Sequence, residues 1–151
     1  VKRSLLVAVL GACSTPQDTP SLWEARLFGA EGWVARLGQP YCKNEPLQGG
    51  APYYADSLGW VYRYSEEEGT TLWVELYKGQ DERLHTLSLS WESADFRRLT
   101  ERYVDLRRLL ERRYGPSRGV VGRQYWDLDT LQAYLVLSPE RRYLQVHFVR
   151  R

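Results

Sequence analysis

The strongest periodic signal lies between residues 94 and 114. Phe96, Leu99, Tyr103, Leu106 and Leu110 recur there in steps of three and four, and Leu109 widens the stripe. That spacing predicts a helix with one buried face. Ser93 stands where a cap would start it and Gly115-Pro116 where it would stop. Arg112 and Arg113 fall in its last turn, where the helix dipole favours cations. On either side the pattern changes to strict alternation. Residues 60–64, 71–78 and 84–91 read as three strands, and residues 120–126, 131–137 and 143–150 as three more. The turns between them are short, which implies antiparallel meanders.

Toward the N-terminus, Ser21-Leu22-Trp23-Glu24 matches a capping box and predicts a short helix to about Phe28. Trp33, Val34 and Leu37 predict another turn or two of helix over residues 31–37, ended by Gly38 with Pro40 beyond. Residues 39–59 have no period and are rich in proline, glycine and tyrosine, so they predict a long loop. Helical stretches ending in Leu37-Gly38-Gln39-Pro40 and in Tyr114-Gly115-Pro116 each precede three strands. The expected fold is therefore α+β over residues 21–151, with pseudo-repeats at about 21–92 and 93–151. Two α-βββ units would form a six-stranded antiparallel sheet with both helices packed on one face.

The first twenty residues follow another pattern. Lys2 and Arg3 precede an apolar run over residues 4–10, then come Gly11, Ala12 and Cys13. This is the layout of a signal peptide over residues 1–12, and Leu10-Gly11-Ala12-Cys13 resembles the lipobox of bacterial lipoprotein precursors. The apolar run is too short to span a ~30 Å hydrocarbon core, whereas acyl chains on Cys13 would anchor stably. Residues 13–20 carry Pro16 and Pro20 and read as a tether. The resemblance implies a chain held to the outer membrane or cell surface by lipid on Cys13, facing periplasm or exterior.

Composition narrows the chemistry. The chain has 151 residues, 43% of them hydrophobic, enough for one core. Its net charge of +2 comes from intermixed cations and acids, a pattern with no nucleic-acid footprint. Of its two cysteines, acylation of Cys13 leaves Cys42 as a single thiol, expected to be buried and inert; a Cys13–Cys42 disulfide would refute lipidation. His85 and His147 have no metal ligand at suitable spacing, no phosphate-cradling loop or nucleophile elbow occurs, and Glu66-Glu67-Glu68 reads as a solvated turn. No catalytic set, metal or cofactor is expected.

The order Gly29…Val34-Ala35-Arg36-Leu37-Gly38-Gln39-Pro40, a long loop, Trp60-Val61-Tyr62-Arg63-Tyr64 and a strand pair resembles the small outer-membrane lipoprotein of the β-barrel assembly machinery. It is also similar to the tandem-repeat fold of β-lactamase inhibitor proteins. The resemblance covers about residues 21–91, with an echo in 94–150, and implies a periplasm-facing binding or scaffolding module without catalysis.

Alternation also sorts the strand residues between the faces of the sheet. With Leu72, Val74 and Leu76, Leu131, Ala133, Leu135 and Leu137, and Leu144, Val146 and Phe148 turned inward, Trp73, Glu75, Tyr77, Gln132, Tyr134, Tyr143, Gln145 and His147 face out. Trp73, Tyr77, Tyr134, Tyr143, Gln145 and His147 are the candidate contacts for a protein or glycan partner, with the 39–59 loop beside them. Aromatic rings supply area there and polar tips fix orientation. The same residues also suit cross-strand pairing that only stiffens the sheet. Two other functions remain open: a small envelope enzyme, such as a cell-wall hydrolase, with unplaced carboxylates, and a small-ligand carrier with a pocket between sheet and helices.

Overall fold

Leu72, Val74 and Leu76 are fully buried while Trp73, Glu75 and Tyr77 between them are half-exposed, so the period-two pattern sets which way each strand faces. The computed structural model describes residues 22–43, 52–66 and 69–151. In chain order it contains α1 (Leu22–Phe28), a 3-10 turn (Val34–Arg36), β1 (Tyr54–Ala55), β2 (Gly59–Ser65), β3 (Thr70–Lys78), β4 (Leu84–Ser93), α2 (Phe96–Tyr114), β5 (Arg118–Val120), β6 (Arg123–Asp127), β7 (Leu131–Ser138) and β8 (Tyr143–Arg150). The strands form one open antiparallel sheet in the order β1-β2-β3-β4-β8-β7-β6-β5.

The sheet thus has eight strands where the sequence predicts six, and each extra strand has a local cause. Asp56 Oδ1 accepts from the backbone N–H groups of Leu58 (2.7 Å) and Gly59 (3.1 Å), closing a tight turn that lays Tyr54–Ala55 against β2. The same two donors hold the Asp56 carboxyl below the usual carboxylate range. Gly59 then starts β2, since a Cβ there would overlap the Leu76 carbonyl. At the other edge, the stretch expected as one strand over 120–126 folds into the hairpin β5–β6. Its turn is Val121-Gly122, with Gly122 at φ 87°. Two further expectations change. Residues 31–37 make only the 3-10 turn, and the cap of α2 is Asp95, whose side chain accepts from Arg97 N–H at 3.1 Å. Ser93 is buried instead, its hydroxyl hydrogen-bonded to Thr70 at 3.1 Å.

The core lies between the sheet and the helices. Leu99, Tyr103, Leu106, Leu109 and Leu110 point from α2 onto β4, β7 and β8. Trp23 of α1 meets Trp91 edge-on at 5.1 Å, and Phe28 meets Phe148 at 6.1 Å and Tyr114 at 5.7 Å. Leu87, Leu89 and Trp91 of β4 and Leu144, Val146 and Phe148 of β8 are essentially inaccessible along the central seam. Each such side chain contributes about 1.5–3 kcal/mol by leaving water. Among the described residues no helix is long and apolar enough to cross a membrane.

Candidate functional site

Because the helices bury the inner face, the residues left over by the alternation make up the other face of the sheet. Pairing aligns them into rows. Tyr54, Val61, Glu75, Ser88, His147, Tyr134, Tyr125 and Arg118 stand opposite one another across all eight strands. A second row runs Arg63, Trp73, Ser90, Gln145, Val136, Arg123 and Val120.

All six candidate contacts lie on this face. Tyr134 is the link between two rings, stacked on Tyr125 at 6.4 Å and tilted against His147 at 6.3 Å. Gln145 donates to Ser88 Oγ at 2.8 Å, and Trp73 occupies the Gln145 row two strands away. Tyr143 and Tyr77 sit apart. Tyr143 pairs with Ser138 and Glu92 toward one end of the strands, and Tyr77 pairs with Thr86 toward the other. The centre is therefore His147, Tyr134 and Gln145, with Trp73 to one side.

Several neighbours were not among the candidates. Tyr125 is 38% exposed beside Tyr134, and its place was readable, because Trp126 next to it is the residue that turns inward. Ser88 and Ser90 alternate with Leu87, Leu89 and Trp91 and were readable the same way. The surroundings of Trp73 were not. The Arg63 guanidinium lies 5.6 Å over its ring, and Tyr53, from the stretch expected to be loop, meets it edge-on at 5.5 Å.

The electrostatics centre on Glu75. Tyr77 donates its hydroxyl proton to Glu75 Oε2 at 2.9 Å; burial first and this hydrogen bond second push the phenol up to about 12. His147 moves the other way. Burial pulls it below the ordinary 6.5 against the opposing attraction of Glu75, and its buried Nδ1 has no hydrogen-bond partner. A neutral imidazole with one unpaired nitrogen beside Tyr134 can accept or donate one further hydrogen bond. A cleft of about 650 Å³ opens at the Tyr143 end, between Thr71, Ser90, Glu92, Tyr143 and Gln145 and the turn residues Arg141 and Arg142.

The other sequence candidates are scattered. Cys42 is an exposed free thiol, a correction to the buried one expected: it follows Tyr41, whose ring packs 4.7 Å from Trp60 and so turns the next side chain outward. Glu66 also departs from expectation. Its carboxylate is drawn in between Arg26 and Arg102 and is only 12% exposed, so the turn is not fully solvated; Glu67 and Glu68 lie outside the described residues, as does Cys13. No group of three or more His, Cys, Asp or Glu able to hold a metal ion occurs among the described residues. No family model, curated protein or solved structure matches the chain.

Proposed function

We propose that the protein is a non-catalytic binding module of the cell envelope, tethered through lipid on Cys13, that engages a protein or glycan through the outer face of its sheet. The strands before the long helix (β1–β4) and those after it (β5–β8) each contribute half of that face. The observation that carries this reading is the row of Glu75, Ser88, His147, Tyr134 and Tyr125, where polar tips and aromatic rings adjoin without a break. Rings bring contact area at little loss of conformational freedom, and the polar atoms between them orient a partner. Eight strands at about 4.8 Å spacing make the row about 34 Å long. With alternate side chains about 7 Å apart along each strand, the two rows above and the shorter ones through Tyr77 and Tyr143 on either side cover on the order of 700 Å², close to the ~800 Å² that one partner contributes to a stable interface.

Two measurements test the two halves of the proposal. A photo-crosslinking residue at position 134, compared in intact cells with one at exposed Arg108 on α2, should give a discrete adduct at 134 alone. Equal labelling at both, or none, removes the outer face as the site. Mass spectrometry of the membrane fraction should find an acylated peptide beginning at residue 13, and an unmodified one removes the anchor.

A further inference from the structure

On the helical side of the sheet, beneath the first half of α2, lies a cleft of about 220 Å³ that the outer-face reading does not use. Trp91 forms part of its wall. The ring is 1% exposed, yet its indole N–H meets no acceptor. Glu66, at the end of the β2–β3 turn, lines the same cleft. Its Oε2 accepts from Arg102 at 3.3 Å, whereas its buried Oε1 has no hydrogen bond, lying 3.9 Å from Arg26 Nη1. Two residues that line one cleft thus each carry a buried polar atom without a partner, where folded chains almost always pair such atoms. Arg102 is held in place by the rings around it, its guanidinium 4.5 Å over Trp23 and 5.9 Å over Trp91.

The charges of the wall select among ligands. Glu66 is matched by Arg26 and Arg102, and Glu101 by Arg97 at 3.3 Å. An anion entering the cleft would meet Glu66, Glu101 and Asp105, and a cation would meet Arg98 and Arg102. A neutral hydroxyl meets neither penalty, since it accepts from an indole N–H and donates to a carboxylate with the same oxygen. A single water occupies about 10–15 Å³ of such space, so the cleft has room for something larger. We propose that this cleft binds a small neutral polyol or a single sugar unit, whose hydroxyls accept from the Trp91 indole N–H and donate to Glu66 Oε1.

The test follows the indole N–H resonances of the full chain in proton–nitrogen correlation spectra. The Trp91 peak is identified by its loss in Trp91→Phe, or by sequential assignment of the wild-type chain if that variant does not fold. Glucose and myo-inositol are titrated, with alanine and inorganic phosphate as charged counterparts. Glucose or inositol should shift the Trp91 peak saturably while alanine and phosphate do not. In Glu66→Gln, with the other indole peaks unmoved, the affinity should fall about tenfold or more, as expected on losing a hydrogen bond to a charged group. No saturation by either polyol up to about 100 mM, saturation by alanine or phosphate, or undiminished polyol binding in Glu66→Gln would overturn the assignment.

Discussion

The two faces of the sheet are drawn from alternate residues of the same strands, and they are built on different rules. On the inner face Leu72, Val74, Leu76, Leu89 and Val146 belong to one hydrophobic cluster, and none is accessible to solvent. Their identity is constrained by volume and by little else. On the outer face polar side chains have named partners: Tyr77 with Glu75, Gln145 with Ser88, Tyr134 with Gln132 at 3.3 Å. These bonds lie in or near water, where each is worth about 1 kcal/mol or less. A change inside should therefore be felt as stability, and a change outside as recognition.

Leu89→Ala, at the middle of the seam, should show the largest effect. Its loss is expected to cost about 2–5 kcal/mol in urea unfolding; a value below about 1 kcal/mol would mean that the inner face is not packed as described. Tyr103→Phe comes next, at about 1–3 kcal/mol. It strips the hydroxyl that donates to Gln124 and accepts from Gly122 N–H at 2.9 Å. Hydrogen exchange should then quicken in β5 and β6 while the β4–β8 amides stay protected, and uniform quickening would count against a local role. Tyr134→Ala should cost less than about 1 kcal/mol yet abolish cross-linking from neighbouring outer positions. A large loss of stability without loss of the adduct would reverse the contrast between the faces.

The smallest expected effect is one of pH. His147 has its pKa lowered in the fold below 6.5, so the unfolded chain takes up its proton first as acid is added. Stability should hold steady above about 6.5 and decline as pH falls through that value toward the lower folded one. His147→Gln should remove that part of the slope, and an unchanged slope would assign it to other groups.

The inner face was legible in the sequence because burial writes itself as period. The stripe of α2 and the alternation of β3, β7 and β8 are found where the residues place them, and Tyr143–Arg150 matches its predicted bounds. The edges were not legible. β1 is two residues held by a side-chain turn at Asp56, and the β5–β6 turn is Val121-Gly122, with none of the polar residues that usually mark a hairpin. Alternation brought the outer residues to the right face, but their neighbours across strands depend on register. Register pairs Ser88 with His147 from a distant part of the chain, and Trp73 with Ser90 across the β3–β4 hairpin. The inward turn of Glu66 could not be read at all, since it depends on Arg26 and Arg102 arriving from two different helices.

The seam has a consequence for synthesis. β4 finds its second neighbour only in β8, with Thr86 opposite Val149 and Glu92 opposite Tyr143. A ribosome delivers the N-terminal meander first, so the apolar edge of β4 must wait for the last strand before it is paired. Until then the nascent chain carries an unsatisfied edge in the middle of its future sheet, the kind of surface that chaperones bind and that aggregates recruit. Contacts that span so much of the chain also close slowly. Deleting the final strand would therefore leave two half-sheets with sticky flanks, and an excess of separately supplied β8 peptide should compete for that flank during refolding.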